Sequence, residues 1–531
     1  MSQSKSIVKQ ASLLAIAGIL VRFIGVLYRS PLKSIISEVG NGYYSTAYEI
    51  YALVLLLSSY SIPTAISKLI SEKNVLKQYN NSKKILKCAF VYIFIVGGLA
   101  ATLAFIFAPF FLPENAVLTF RVLCPTIFFS GVLGVFRGYF QAHHNTLYTS
   151  ISQIIEQLFN AAVSIGAAYI FVQPYIGIDP NSVAVLGSAG SAVGTGAGVL
   201  VGLFYMIFMF IKKGYRKIED EEQDLYVDSS RYIFKMILNI VTPIIFATCV
   251  YNSVTTFEMA IYYMIKGNGA LQTTAWGIFA GEYIVLRNVP VALASALSTA
   301  SIPAIASAYA LKDYKETKET IHNGERLTML ILIPASVGMG ILAYPILSLI
   351  FPQVETIGTS SLMLSIGSIG IAFYGLSTYT NGVLQAIGEV NVPLKNAIIA
   401  LITHCILVLV LLVITPLDLY SLVIANCFYA LQVCYMNQMA IKKKLNYKQS
   451  IKKTFILPAF ASLFMAIAVL AVYYGLKALT HMVAIPLMIS IIIGIIVYFV
   501  VIFYLYADHP EDLECIPYAS RILNKMKRGL H

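Results

Sequence analysis

Charge is what this chain has least of. Charged residues make up 12% of its 531 residues and hydrophobic ones 58%, whereas an ordinary soluble protein is roughly 25% charged. Acidic groups are the scarcer kind, 25 Asp and Glu against 37 Lys and Arg. So small a polar share leaves no soluble domain of useful size. Cysteine is also thin: seven residues (Cys88, Cys124, Cys249, Cys405, Cys427, Cys434, Cys515) with no CxxC pair. That spacing excludes a thiol metal knuckle or a disulfide framework, and the thiols read as packing residues. There is no clustered nucleophile and base and no metal-ligand set, so catalysis has no foothold. No metal and no resident cofactor are expected.

What is present is a succession of apolar stretches of about 20 residues, the length of a membrane-crossing helix. Fourteen are expected, near 10–29, 46–69, 88–111, 117–137, 150–172, 184–211, 235–263, 275–300, 327–351, 360–386, 393–414, 417–441, 454–477 and 482–507. The fold class is therefore an all-α polytopic membrane protein. Arg22 and the lack of a small-residue cleavage site make the first run a retained helix. The net charge of +12 suggests nucleic acid until the charges are placed. With the N-terminus inside, most Lys and Arg flank cytoplasmic ends, and outer loops keep mainly Arg29, Lys33, Lys266 and Lys477. That positive-inside bias predicts cytoplasmic termini and no nucleic-acid partner.

The chain also repeats itself. Ser61-Ile62-Pro63-Thr64-Ala65-Ile66-Ser67 returns 240 residues on as Ser301-Ile302-Pro303-Ala304-Ile305-Ala306-Ser307. Phe129-x-Gly131, Gly138 and Gln141-Ala142 return 244 residues on as Phe373-x-Gly375, Gly382 and Gln385-Ala386. Six spans per copy is an even number, so both copies enter the membrane in one sense, as parallel repeats do. The expected organisation is an N-terminal lobe at 1–211, a cytoplasmic linker at 212–234 and a C-terminal lobe at 235–441. Spans thirteen and fourteen follow at 442–507, then a cytoplasmic tail at 508–531. The last two spans have no counterpart earlier in the chain. Pro63 and Pro303 occupy equivalent places and are candidate hinges near a cytoplasmic gate, with Lys68 close by. Gly190, Gly194, Gly198 and Gly202 repeat every fourth residue, so another helix should approach closely there.

Ionisable groups at bilayer depth cost about 2.5–3.5 kcal/mol each, so those that survive usually face a cavity. Arg22 and Arg29 lie seven residues apart on roughly one face, and Arg287 is near the middle of span eight with Glu282 about a turn away. Guanidinium offers a rigid fork of donors suited to phosphate oxygens. Arg22, Arg29 and Arg287 are thus candidates for an anion site in a water-filled central cavity. The alternative is an internal ion pair of Arg287 with Glu282 or Glu49 that merely locks the bundle. Arg121 should snorkel. Glu156 should pair with Arg137, with a coupling proton as its other use, and His404 reads as a satisfied core histidine.

Arg22-Phe23-Ile24-Gly25, the SIPTAISKLISE stretch from Ser61 to Glu72 and RGYFQA from Arg137 to Ala142 resemble the polysaccharide-exporter branch of the multidrug/oligosaccharidyl-lipid/polysaccharide flippase superfamily. Within it the chain looks like the stage V sporulation protein B group, relatives of the lipid II flippase MurJ. The resemblance spans the whole chain and implies a plasma-membrane flippase, not an enzyme. Such a protein moves an undecaprenyl-pyrophosphate-linked sugar from the inner to the outer leaflet by alternating access. It implies arginines of spans one, two and eight in a cationic cavity. Arg22 and Arg29 match span one and Arg287 span eight; span two departs, offering Glu49 and Lys68. Spans thirteen and fourteen would form a groove for the polyprenyl tail. A coupling ion, H⁺ or Na⁺, cell-wall synthesis proteins as partners and a monomeric state belong to the same expectation. The rival readings are a flippase for another lipid-linked glycan (teichoic, capsular or exopolysaccharide unit), a multidrug antiporter of the same superfamily and a non-transporting scaffold.

Overall fold

A computed structural model describes residues 17–59, 61–143, 145–214, 227–351 and 356–506. The start of the expected first span, most of the linker and the whole C-terminal tail lie outside the described residues. Those described form helices and short connections. Twelve helical stretches among them are long and apolar enough to cross a membrane. Of the fourteen expected spans, the first is represented by the eleven-residue α1 (Ala17–Leu27) and the seventh by α9 and α10 (Ser230–Asn252, Val254–Lys266). None of these three is among the twelve.

By packing, the chain divides into two compact units, Met1–Glu282 and Tyr283–His531. This packing boundary lies inside the expected eighth span, whereas the lobe division expected from the repeat falls at the 212–234 linker. The reason is local. In the first unit α11 (Ala270–Ile278) packs along α2 (Arg29–Ser58). Gly42 and Gly277 allow it, since a Cβ on Gly277 would come within 2.7 Å of the Gly42 Cα.

The first unit continues with α3 (Ile62–Val75), α4 (Tyr79–Tyr92), α5 (Gly98–Phe111), α6 (Glu114–Ala142), α7 (Thr146–Val172) and α8 (Pro180–Met209). A π-turn, Ile93–Gly97, joins α4 to α5. Asp179 starts α8 by accepting from the Asn181 N–H, with Pro180 in the first turn. The Ser182 hydroxyl, donating to the same carboxyl, holds it below its ordinary range. The glycine ladder of α8 lies against α7, with Gly190 at Ala168, Gly194 at Ser164 and Gly198 at Glu156 and Asn160. Small residues let the backbones meet, as expected.

The second unit holds α12 (Ile284–Ala310), α13 (Tyr314–Ile341), α14 (Ala343–Ile350), α15 (Ile357–Ala386), α16 (Asn391–Ile414), α17 (Leu419–Leu445), α18 (Leu457–Thr480) and α19 (Ala484–Leu505). Outward faces are apolar and exposed, as at Ile402, Ile406, Val413 and Ile414 of α16. In water such patches would drive association, and a bilayer covers them.

In each unit the helix carrying one duplicated word packs against the helix carrying the other, in registers about one turn apart. Gly138 of α6 lies against Pro63 and Ile66 of α3, and Gly382 of α15 lies against Ser298 and Ile302 of α12. The copies differ in backbone. Pro63 sits in the first turn of α3, so the second span breaks before it, whereas Pro303 lies inside the unbroken α12. At Gly138 an added Cβ would lie 2.8 Å from the Pro63 carbonyl oxygen; at Gly382 it would meet the Ser298 side chain. Gly138→Ala should therefore destabilise the protein by about 1–3 kcal/mol, the cost of overpacking. Gly382→Ala should cost less, because a hydroxyl can rotate away. Thermal unfolding in detergent would check this, and equal losses would contradict it.

Candidate functional site

Three buried polar clusters stand out against this apolar background. The first is built by α2 and the helix that crosses it. The α2 helix is interrupted at Ser37, whose φ of 67° and ψ of 173° are not helical. A left-handed φ at a residue with a side chain is uncommon and tends to mark ligand sites or switches. Across from it α11 passes into a π-turn, Phe279–Tyr283, another irregularity frequent at functional positions. Lys33 and Glu282 meet there, Nζ to Oε1 at 2.5 Å, and both are almost wholly buried (2% and 1% exposed). Lys33 also reaches Glu38 at 3.4 Å, while Arg29 donates to the Gly281 carbonyl at 3.1 Å. Asn41 donates to the Gly277 carbonyl at 3.3 Å.

The expectation of Lys33 in an outer loop is thus corrected: it lies inside α2, because helix begins at Arg29 immediately after the turn residue Tyr28. The available signal was spacing. Lys33 follows Arg29 by four residues and so shares its face.

The second cluster lies within the second unit around Arg287, which is 6% exposed. Its Nη1 donates to Asn426 Oδ1 at 2.9 Å, and its guanidinium carbon stands 4.2 Å from the centroid of the Tyr374 ring. The Tyr374 hydroxyl donates to the same Asn426 oxygen at 2.5 Å. Asn426 and Tyr374 are neutral, so they hold the guanidinium without cancelling its charge.

The third cluster surrounds Glu325 of α13, which is fully buried. Its carboxylate accepts from Gln438 of α17 at 2.5 Å, and from Tyr447 at 2.9 Å and Gln449 at 3.0 Å in the segment leading to α18. Burial first, and then this carboxylate, push the Tyr447 phenol well above its ordinary range, so it remains a donor.

The remaining candidates are spread out. Arg22 is exposed on α1, Glu49 is half-buried in α2, and Lys68 is exposed on α3. Pro63 is half-buried and Pro303 exposed. Glu156 pairs with Arg137 at 2.7 Å, and Arg137 Nε also donates to Ser152. Arg121 lies over the Phe105 ring. His404 is buried, with Nδ1 3.0 Å from the Ala425 carbonyl. No group of His, Cys, Asp and Glu suited to a metal occurs among the described residues.

An apolar cavity of about 390 Å³ lies between α13 and the pair α18 and α19, lined by Leu330, Pro334, Met465, Val469, Gly494 and Tyr498 among others. These two helices belong to the spans that the repeat leaves unpaired.

Known proteins place this architecture. The family described as polysaccharide biosynthesis protein matches residues 7–309, and the MatE family matches 243–410. The lipid II flippase MurJ of Bacillus subtilis (strain 168) is 22% identical over 501 residues, covering 89% of each chain. The stage V sporulation protein B of the same organism is 25% identical over 336 residues, 61% of this chain and 63% of that one. A solved structure of a lipid II flippase MurJ in an inward closed conformation superposes with a TM-score of 0.69 at 17% identity, over 93% of this chain and 99% of that one. The chain is a multi-pass membrane protein of the polysaccharide biosynthesis protein family, in the multidrug/oligosaccharidyl-lipid/polysaccharide transporter superfamily.

Proposed function

We propose that the protein is a flippase for a lipid-linked, pyrophosphate-bearing glycan, lipid II first among them, carried from the inner to the outer leaflet by alternating access. The observation that carries this reading is Arg287, a buried guanidinium held by the neutral groups of Asn426 and Tyr374. A buried charge is tolerated when it is hydrogen-bonded, and a guanidinium fork matches phosphate oxygens. Arg29 and Arg22 are assigned the same task in the first unit. The relatives named above as lipid II flippases make that cargo the first to try.

A glycan headgroup on pyrophosphate cannot cross hydrocarbon unaided, while its prenyl tail need not leave it. The apolar cavity beside α18 and α19 is assigned to part of that tail. Resetting is assigned to the membrane potential, worth about 2.3 kcal/mol per charge per 100 mV, or to H⁺ or Na⁺.

The test is a leaflet-accessibility assay of lipid II in cells depleted of other flippases. Expression of this chain should restore outer-leaflet lipid II. If lipid II stays inside while another polyprenyl-pyrophosphate glycan is moved, the cargo is that other glycan. If no such lipid moves but cationic drugs are expelled, the multidrug reading replaces this one. Collapsing the potential with an ionophore should slow the restored flipping several-fold; unchanged flipping would remove the potential as the drive.

A further inference from the structure

We propose that Glu282 is a resident counter-ion that an incoming pyrophosphate displaces from Lys33, so that Lys33 is a ligand-binding cation masked in the empty protein. The inference rests on the anion-transport reading above and adds to it a binding residue and an exchange of partners.

Three features of the first unit converge on this pair. Lys33 is the buried partner of two carboxylates, Glu282 at 2.5 Å and Glu38 at 3.4 Å. Its helix is broken four residues on, at Ser37, and the helix carrying Glu282 passes through a π-turn at the same level. A static lock needs neither irregularity. Arg29 stands one turn before Lys33 with its Nη1 on the Gly281 carbonyl, a neutral acceptor next to Glu282. The pair is not sealed on every side, because the Glu38 side chain keeps 20% of its exposure and Arg29 is half-buried. An anion arriving along Arg29 would therefore meet Lys33 from the Glu38 side.

The exchange is electrostatically reasonable. A buried ion pair often gives little net stability, because desolvation offsets the attraction, so a second anion of higher charge can compete for the same ammonium. Pyrophosphate presents more acceptor oxygens than one carboxylate and can engage Arg29 and Lys33 together. Ser37 and the π-turn supply the backbone freedom by which α2 and the helix carrying Glu282 part as the partner changes. Release of the headgroup would let Glu282 recapture Lys33 and close the contact.

The pair can be read in the unaltered protein. A hydrophobic carbodiimide activates a buried carboxylate and joins it to an amine in contact with it, so the ligand-free protein in detergent should yield a Lys33–Glu282 amide, detected by peptide mass spectrometry. A saturating prenyl pyrophosphate such as geranylgeranyl pyrophosphate should lower that yield at least fivefold. Inorganic pyrophosphate should lower it as well if the headgroup alone drives the exchange; a response to the prenyl compound only would make the tail part of it. Unchanged cross-linking with bound ligand would overturn the proposal.

Variants supply the second arm. Glu282→Gln should tighten geranylgeranyl pyrophosphate binding about tenfold, since the competitor is gone, and Lys33→Met should weaken it about tenfold. The exchange double variant Lys33→Glu with Glu282→Lys restores a pair and should keep the unfolding temperature close to that of the unaltered protein, yet fail to bind. If the exchanged pair binds normally, the contact is structural and the proposal falls. If the unaltered chain itself binds no pyrophosphate, the anion-transport reading fails first and takes this one with it.

Discussion

Arg287→Ala is expected to lower lipid flipping at least about a hundredfold while leaving a folded protein in the membrane. A hydrogen bond to a charged group is worth about 1.5–3 kcal/mol, so losing a two-pronged contact to phosphate exceeds two factors of ten in rate or affinity. The fold should survive because the partners keep each other satisfied. Asn426 Oδ1 still accepts from the Tyr374 hydroxyl, and Asn426 Nδ2 still donates to the Leu422 carbonyl at 3.1 Å. Arg287→Lys should recover only part of the loss, since an ammonium is a point charge without the planar fork. Asn426→Ala removes a group that orients Arg287, so apparent affinity should fall more than maximal rate. Outer-leaflet lipid II, measured with expression and unfolding temperature as controls, decides the matter. Flipping at the normal rate by Arg287→Ala would leave Arg287 as packing.

How much of this was legible beforehand depends on the kind of contact. Membrane helices announce themselves through composition, and the repeat through identity of short words, because both are properties of consecutive residues. The repeated glycines mark helix contacts in both units, Gly138 with Pro63 and Gly382 with Ile302, although Ile302 corresponds in the repeat to Ile62 and not to Pro63. Pairings across distant helices are another matter. Glu282 sits five residues before Arg287, close enough to suggest a pair, yet it faces Lys33, 249 residues away. The break at Ser37 is likewise silent in sequence, since neither glycine nor proline marks it. Glu156 with Arg137 was readable because α6 and α7 are neighbours joined by a short connection. The packing boundary at Glu282 was not, because it depends on the approach of α11 to α2 through Gly42 and Gly277.

Glu325→Ala should destabilise the second unit by about 1–3 kcal/mol and loosen the segment that leads into α18. The sequence around it, Lys315-Glu316-Thr317-Lys318-Glu319 and onward to Glu325-Arg326, looks like a solvated cytoplasmic helix end, which hides the one carboxylate that is buried. That carboxylate gathers Gln438, Tyr447 and Gln449. Removing it leaves three donors without this acceptor; Tyr447 is buried, Gln438 and Gln449 are half-buried, and a buried orphan costs about 1–3 kcal/mol. Glu325→Gln tests the same account more finely. An amide keeps one acceptor oxygen and turns an NH₂ toward groups that donate, so at least one of the three bonds must be lost even though the shape is preserved. A second tie, the Tyr498 hydroxyl on the Leu330 carbonyl at 2.8 Å, holds α19 to α13 farther along. Release at Glu325 should therefore show as protease cleavage or cysteine labelling within 446–451, with α19 still docked. Loss of flipping at an unchanged unfolding temperature would instead mean that Glu325 acts in the transport cycle, since a clamp that contributes nothing to stability is no clamp.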